Sequence, residues 1–258
     1  MELNICHLYP DVLNLYGDRG NIACMKKRLE WRGIGCAVTE LPLGTADDLT
    51  GYDLFFIGGG QDFEQQVLLE DLHLGRDREI KAAIDDGVTF LTICGGYQML
   101  GRSLSDPDGV EEGGMLAGMG LLPCDTVFLR RKIRRRTRAK VVAPMLAGGN
   151  LAGYEIHMGE TTVHGAPFCR LDGGKPEGAV QGNVFGTYLH GLFDTGELTE
   201  RLAQWLLSRK GLAGETGGLQ SHRAHQEEQL NQLACIVRQH IDLPAIYEAM
   251  GQNGRGER

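Results

Sequence analysis

Short apolar runs alternate with stretches of helical periodicity through the first half of the chain. Runs rich in β-branched and aromatic residues predict strands at 3–9, 36–41, 52–57 and 88–93. Apolar residues at helical spacing predict a helix over 21–31, stopped by Gly33, and another that ends near Gly87. This order predicts an α/β fold whose central, mostly parallel sheet is flanked by helices.

The pattern changes after about residue 120. Short strand-like runs follow one another at 121–129, 138–142, 154–158 and 184–190, without long helices between them. They predict antiparallel or mixed strands that are added at the flank of the sheet.

The C-terminal part of the sequence predicts helices separated by a polar loop. Helices are predicted over 196–209, 226–240 and 243–250, with a Gly-rich loop at 211–225. Asp194 and Glu197 are typical of a capping-box-like start for the first of these helices. We therefore expect one domain over residues 1–210, with residues 211–258 packed on it and ending in a frayed tail.

Composition and charge narrow the class of protein. The hydrophobic content of 42% and charged content of 23% are ordinary for a globular chain, and a net charge of -8 argues against general nucleic-acid binding. No run approaches the roughly 18 apolar residues that span a bilayer, and the N-terminus lacks a signal-peptide pattern. The seven cysteines are scattered and form no CxxC pair, so neither a disulfide framework nor a metal site is indicated. We expect a cytoplasmic protein.

One segment departs from the acidic balance, the run RRKIRRRTR at residues 130–138. Such a run is commonly a solvated loop or the edge of a strand. The alternative is a surface for an anionic ligand or an acidic partner. No aromatic residue interleaves the run, which disfavours a stacking platform for single-stranded nucleic acid.

The sequence TICGGYQ, residues 92–98, predicts a nucleophile at Cys94, on a turn over the C-terminal edge of the sheet. A buried strand runs into a helix here through glycines, the pattern of a nucleophile elbow. Backbone N–H groups at the start of the helix favour the thiolate form of a cysteine in this place. The alternative is that Cys94 is a buried packing residue.

A thiolate that attacks a carbonyl needs a base and an oxyanion hole. Among eight histidines, His190 is the first candidate for the base because it ends an apolar strand just before a glycine, and His157 is the second. His222, His225 and His240 lie in polar surroundings typical of the surface.

Backbone N–H groups of Gly59 or Gly60, and of Gly95, are the candidate oxyanion donors. The Gly58-Gly59-Gly60 run could also be an ordinary tight turn or a phosphate cradle. No GxxxxGK[ST] P-loop occurs in the chain. A reaction that needs ATP would therefore require another chain to bind it.

Several segments together resemble the class I glutamine amidotransferases of the branch that includes cobyric acid synthase. These segments are TICGGYQ (92–98), GYEIHMGET (153–161), GTYLHGLFD (186–194), IGGGQDFEQ (57–65) and LYPDVLNLYGDRGNIACMKKRLEWRGI (8–34). The last two are the more specific, and they resemble the GatD-type glutaminase subunits of lipid II isoglutaminyl synthases. The resemblance covers nearly the whole chain, is weakest over 210–258, and implies a single class I glutamine amidotransferase-like α/β domain.

The resemblance implies a mechanism for the site. The cysteine at 94 would attack the side-chain amide of glutamine, the histidine at 190 would protonate the departing ammonia, and water would then release glutamate. An arginine that holds glutamine falls on Arg136, with Arg135 and Arg138 as alternatives. We also expect Gln98 to contact the substrate.

The third member of the catalytic set is left open by the sequence. Many relatives place a glutamate two residues after the histidine, where this chain has Leu192. Asp18 and Glu155 are the candidates to replace it, although Asp18 is also well placed to be the N-terminal cap of a helix.

The resemblance also implies a partner. It would be a Mur-ligase-like (MurT-type) synthetase that holds ATP and Mg and uses ammonia to convert the D-glutamate of lipid II to D-isoglutamine in peptidoglycan synthesis. The basic run at 130–138 would then face this partner or its anionic lipid-linked substrate. Alternatives are the amidotransferase part of a cobyric acid synthase-like enzyme, or a non-catalytic regulatory subunit, which Cys94 and His190 disfavour.

Overall fold

The structure is a computed structural model that describes residues 2–13, 17–45, 48–60, 62–110, 113–194, 197–212 and 222–251. The chain divides into two compact units, Met1–Leu219 and Gln220–Arg258. The packing of residues 211–258 on the main domain stays a prediction. In the part of the chain that is described, no helix has the length and hydropathy to cross a membrane.

The first unit contains all the strands that the structure describes and five of its α-helices. The strands are β1 (Glu2–Leu8), β2 (Gly35–Leu41), β3 (Leu54–Ile57), β4 (Thr89–Ile93), β5 (Ser103–Asp106), β6 (Gly114–Ala117), β7 (Cys124–Val141), β8 (Asn150–Val163), β9 (Cys169–Leu171), β10 (Pro176–Glu177), β11 (Ala179–Gln181), β12 (Val184–Thr187) and β13 (Leu189–His190). The helices are α1 (Arg19–Glu30), α2 (Asp62–Asp71), α3 (Asp77–Asp85), α4 (Gly95–Leu100) and α5 (Glu197–Arg209).

A six-stranded sheet forms the centre of this unit, in the order β11-β12-β4-β3-β1-β2. All neighbouring pairs are parallel except β11 with β12. Strands β3 and β4 are buried along their whole length, which explains why their sequences are continuously apolar. The predicted α/β class with a mostly parallel central sheet is confirmed.

A seven-stranded second sheet carries the order β10-β9-β7-β5-β6, with β8 joining β7 to β13. The predicted separation of strands at 121–129 and 138–142 is wrong, because β7 runs without a break for 18 residues through the basic run. Its pairing with β8 shifts between Phe128 and Ile133, and the basic side chains stay in solvent. A strand can therefore continue there without burying a charge.

The predicted strand at 184–190 is divided at Tyr188. The first part, β12, pairs with β4 in the central sheet, and the second part, β13, pairs with β8 in the second sheet. The chain thus crosses from one sheet to the other just before His190. This crossing brings a histidine of the second sheet to the edge of the central sheet.

Helix α1 packs its predicted apolar face inward, with Ile22, Met25 and Leu29 buried. Helix α2 and the wide helical turn Leu72–Arg76 that follows it were not predicted. The Glu197 carboxylate accepts the backbone N–H of Asn150 at 2.8 Å. The expected capping box did not predict this contact.

The second unit contains α6 (His222–His240) and α7 (Leu243–Ala249). Both helices were predicted, although α6 begins within the stretch expected to be loop. Asp242 caps α7 by accepting the backbone N–H of Ala245 at 3.1 Å. Most of the predicted loop at 211–225, and the tail at 252–258, lie outside the described residues.

The strand-to-helix turn after β4 requires a glycine at Gly96. A Cβ there would lie 2.5 Å from Ile57 Cγ2 and 3.0 Å from the Gly58 carbonyl oxygen. We expect Gly96→Ala to lower the free energy of unfolding by about 1–3 kcal/mol, the usual cost of overpacking. Urea unfolding measures this.

Gly20→Ala is the matched control for that substitution, because a Cβ at Gly20 meets no atom within 4 Å. In the helical setting of α1 it should be neutral or stabilise by about 0.5–1 kcal/mol. Equal urea midpoints for the two variants would contradict the packing argument.

Candidate active site

Cys94 occupies the strained position of a strand-to-helix elbow, as predicted. Its φ is 51° and ψ is -107°, a conformation that is rare for a residue with a side chain. The Cys94 N–H donates to the Thr187 carbonyl at 2.9 Å, and the Cys94 carbonyl accepts from Gln98 N–H at 3.0 Å. The turn thus ties β4 to β12 on one side and begins α4 on the other.

His190 is fully buried beside a carboxylate that comes from the other end of the sequence. Its Nδ1 lies 3.0 Å from Asp18 Oδ1 and 3.2 Å from Oδ2. With Nδ1–H donating to the carboxylate, the neutral imidazole has its lone pair on Nε2, where a base needs it. Asp18 itself is 1% exposed, and it accepts the Gly59 N–H at 2.7 Å and the Asn21 side-chain amide at 3.2 Å.

Asp18 precedes α1, but its side chain makes no capping hydrogen bond. The interpretation of Asp18 as a helix cap is therefore wrong for the carboxylate. The side chain turns inward to His190 because the glycine loop and Asn21 supply donors for a buried carboxylate.

Gly59 marks the point where the three side chains meet. A Cβ on Gly59 would lie 2.9 Å from Cys94 Cβ, 3.1 Å from His190 Cε1 and 3.2 Å from Asp18 Oδ2. The Cβ atom of Cys94 and the imidazole of His190 therefore both lie beside Gly59, in a space that a larger residue at this position would fill. The structure brings Cys94, His190 and Asp18 together.

Glu155, the other candidate for the third member, has a different partner. It is 3% exposed and accepts the Nε–H of Arg135, with which it forms an ion pair. Its register partner across β7 is also Arg135. Among the described contacts, Asp18 and not Glu155 is the carboxylate hydrogen-bonded to His190.

Strand β8 covers the site with aromatic and backbone groups. The Cys94 Sγ lies 3.5 Å from the Ile156 carbonyl oxygen, and the Tyr154 ring stacks on His190 at 5.2 Å between centroids. His157 stacks on Tyr188 at 3.7 Å, and its Nδ1–H donates to Gly159 at 2.7 Å. Burial lowers the pKa of His157, so this second histidine is neutral at neutral pH.

The predicted oxyanion donors separate into two groups. The Gly59 N–H is committed to Asp18, so it is not available to a bound oxyanion. The Gly60 N–H lies close to Gly95, 3.4 Å from where a Cβ of Gly95 would be. Gly60 and Gly95 therefore remain the candidate donors beside Cys94, and their role stays a prediction.

Gln98 belongs to a buried chain of hydrogen bonds. Its side-chain oxygen accepts from Gln65 at 2.5 Å, and its amide donates to the Tyr188 hydroxyl at 3.1 Å. Tyr188 contacts Thr161 at 2.6 Å, and Thr161 contacts Thr126 at 2.7 Å. This chain anchors the elbow helix. Contact of Gln98 with a substrate stays a prediction.

Arg136, predicted to hold the substrate, is exposed on β7. It lies directly opposite Tyr154 in the antiparallel pair β7–β8, so both side chains project to the same side of the sheet. Because the Tyr154 ring stacks on His190, this places Arg136 at the rim of the site.

Sequence reasoning missed two buried charged residues that position His190. The Glu177 carboxylate accepts the Thr187 hydroxyl and the Tyr188 N–H, both at 2.6 Å, and so fixes the crossing between the two sheets. Burial raises the pKa of Glu177. Arg28 on α1 donates to the carbonyls of Phe193 and Asp194 just after His190. Neither residue lies in a recognisable motif, so no sequence signal marked them.

Within the described residues, no group of three or more His, Cys, Asp or Glu side chains is arranged to hold a metal ion.

A family model described as a CobB/CobQ-like glutamine amidotransferase domain matches residues 4–198. The lipid II isoglutaminyl synthase (glutamine-hydrolyzing) subunit GatD of Staphylococcus aureus is 35% identical over 238 residues, which cover 89% of this chain and 94% of that protein. Cobyric acid synthase of Ruminiclostridium cellulolyticum is 36% identical over 245 residues, which cover 87% of this chain. That match spans 46%, or about half, of the synthase.

A solved structure, PurLQS from Thermotoga maritima, superimposes with a TM-score of 0.54 at 19% identity. It covers 81% of this chain and 100% of that one. This likeness supports the fold.

Because Asp18 is hydrogen-bonded to His190, we expect loss of the Asp18 carboxylate to lower the reactivity of the Cys94 thiol selectively. Asp18→Asn removes the acceptor that sets the imidazole tautomer, and we expect alkylation of Cys94 by iodoacetamide at pH 7 to slow about 10- to 100-fold. Mass spectrometry of the Cys94 peptide measures the rate, separately from the exposed Cys235.

Glu155→Gln is the control, because this carboxylate pairs with Arg135. It should leave Cys94 alkylation within about threefold of the original rate, less than the effect of one hydrogen bond to a charged group. The reverse ranking of the two variants would show that Glu155 is the orienting acid.

Proposed function

The chain belongs to the CobB/CobQ-like glutamine amidotransferases, and we propose that it is the glutaminase subunit of a lipid II isoglutaminyl synthase. The observation that carries the proposal is the meeting of Cys94, His190 and Asp18 at Gly59. The likeness to the GatD subunit over 94% of that protein's length supports the choice within the family.

In the proposed reaction, Cys94 attacks the side-chain carboxamide carbon of glutamine. The His190 Nε2 takes the thiol proton as the carbon–sulfur bond forms. The carbonyl oxygen becomes an oxyanion, for which the N–H groups of Gly60 and Gly95 are the donors. His190 then gives its proton to the departing nitrogen, and ammonia leaves a glutamyl thioester on Cys94.

Water completes the cycle. His190 removes a proton from the water that attacks the thioester carbonyl, the carbon–sulfur bond breaks, and the proton returns to the thiolate. Glutamate and the original Cys94 thiol are the products. No ATP is needed for these steps, because a primary amide is hydrolysed.

Asp18 acts through His190 in this scheme. Its carboxylate holds the Nδ1–H and stabilises the imidazolium that forms while His190 carries the proton. A hydrogen bond to a charged group contributes about 1.5–3 kcal/mol. The N–H of Gly59 and the amide of Asn21 hold the carboxylate in position.

We propose that Arg136 binds the α-carboxylate of glutamine. Its place at the rim of the site, opposite Tyr154, supports this role. Arg135 pairs with the buried Glu155 instead. We propose that Gln98 stabilises the elbow through its hydrogen bonds to Gln65 and Tyr188 and also contacts the substrate.

The ammonia would be consumed by a Mur-ligase-like synthetase in the cytoplasm. That subunit would hold ATP and Mg and activate the carboxylate of D-glutamate in lipid II, and attack by ammonia would convert this residue to D-isoglutamine within lipid II. The name of the S. aureus relative supports this assignment, since it describes one subunit of a glutamine-hydrolyzing lipid II isoglutaminyl synthase.

A second candidate is the amidotransferase part of a cobyric acid synthase-like enzyme. The observation in its favour is the 36% identity to cobyric acid synthase, as high as that to the GatD subunit. The two candidates share the glutaminase chemistry and differ in the acceptor of ammonia.

The proposed function predicts a split between two nitrogen sources. With the Mur-ligase-like partner, ATP and lipid II, Cys94→Ala should abolish glutamine-dependent amidation and leave amidation driven by ammonium chloride unchanged. Mass spectrometry of the lipid II product measures both.

Cys36→Ala is the control, because this buried cysteine lies on β2, at the edge of the central sheet and three strands away from the strand that carries the elbow. It should keep the glutamine-dependent reaction. Glutamine-dependent amidation that survives Cys94→Ala would refute the mechanism, and transfer to a corrinoid carboxylate instead of lipid II would favour the second candidate.

A further inference from the structure

Strand β7 displays a row of cations on one side. From position 132 to 140, every second residue is a lysine or arginine, and each one is exposed. We call this row the cationic face, and its members are Lys132, Arg134, Arg136, Arg138 and Lys140. Arg170 on β9 lies opposite Lys140 and extends the row. Residues two apart in a strand are about 6.4–6.8 Å apart, so these charges lie close together.

The positive charges of the cationic face are not neutralised within the described part of the chain. None of its members forms an ion pair there, although two neighbours do, Arg130 with Asp108 and Arg135 with Glu155. The whole chain carries a net charge of -8. The face is therefore a local reversal of the overall sign, and close like charges repel unless an anionic surface covers them.

The cationic face lies at the rim of the candidate active site. Arg134 pairs in register with Ile156, whose carbonyl oxygen is 3.5 Å from the Cys94 Sγ. Arg136 pairs with Tyr154, whose ring stacks on His190. A molecule bound to this face would therefore lie beside the strand that covers Cys94 and His190.

The other edge of β7 is open along the same stretch. No described strand pairs with that edge between β5, which ends its contact at Val127, and β9, which begins at Ala139. Charged residues often protect such an edge against pairing with other chains, and either sign of charge serves that purpose. A continuous row of one sign is more specific than edge protection requires.

We propose that the cationic face is the docking surface for an acidic face of the synthetase subunit that receives the ammonia. The inference rests on the proposed function, because it takes the consumer of ammonia to be a separate protein. Ammonia that escapes into water is lost to dilution and protonation, so the consumer is expected to dock close to Cys94 and His190. Opposite charges on the two surfaces would speed the encounter and fix the orientation of the complex.

The test reverses three cations that have no place in the proposed catalytic or substrate-binding set. We expect the triple variant Lys132→Glu, Arg134→Glu and Lys140→Glu to weaken binding to the Mur-ligase-like subunit by about tenfold or more at low salt. The original affinity should fall as salt is raised, and that of the variant should not. Glutamine hydrolysis by the isolated chain and ammonium-driven amidation should stay unchanged, while glutamine-dependent amidation falls.

The matched control reverses three exposed cations away from this face, Lys26→Glu, Lys27→Glu and Arg78→Glu, with the same change in net charge. It should bind the synthetase normally. A triple variant with glutamine in place of Lys132, Arg134 and Lys140 removes the charge without reversal and should give an intermediate loss. It also keeps the test available if the glutamate variant is unstable.

Unchanged affinity for the synthetase after charge reversal would overturn the docking surface. If the same reversal also abolished binding to vesicles containing anionic phospholipid, the face would be assigned to a lipid headgroup. Failure of the unaltered pair to form any complex, or to amidate lipid II with glutamine, would instead contradict the proposed function.

Discussion

The buried hydrogen bond between the Asp18 carboxylate and the His190 imidazole is the interaction on which the site depends. It joins residues 172 positions apart, and both are almost fully removed from solvent. A carboxylate in such a place is costly unless donors surround it, and here the Gly59 N–H, the Asn21 amide and the imidazole supply them. Because Gly59 also lies against Cys94, one carboxylate sets the relative position of the glycine loop, the base and the elbow.

The two sheets meet where this arrangement is needed. The chain leaves the central sheet after β12 and enters the second sheet at β13, so His190 comes from one sheet and Cys94 from the other. Glu177 stabilises the crossing by accepting the N–H of Tyr188. Arg28 stabilises the segment after His190 by donating to the carbonyl of Phe193. Because Arg28 and Asp18 both belong to the α1 region, movement of this helix would disturb both Asp18 and the segment that follows His190.

The sequence predicts the parts of this structure that depend on local patterns. Continuous apolar runs gave the parallel strands β3 and β4, and the short motif around Cys94 predicted the elbow. The extent of β7 was missed, because an exposed strand edge and a solvated loop have the same basic composition. Asp18 has the residue type and position of a helix cap, and only the tertiary fold shows that its side chain points to His190. Glu177 stands between Pro176 and Gly178 with no periodic signal, so its burial could not be foreseen.

The central claim is that the Cys94 sulfur carries the glutamyl group between the release of ammonia and the release of glutamate. The most direct measurement is rapid acid quenching of the protein during glutamine turnover, followed by peptide mass spectrometry. We expect a glutamyl adduct on the peptide that contains Cys94. It should form within the first turnover and be absent when glutamine is replaced by glutamate. A glutamyl adduct on a different residue would contradict this mechanism. So would a protein that lacks the Cys94 thiol and still releases ammonia and glutamate together in its first turnover.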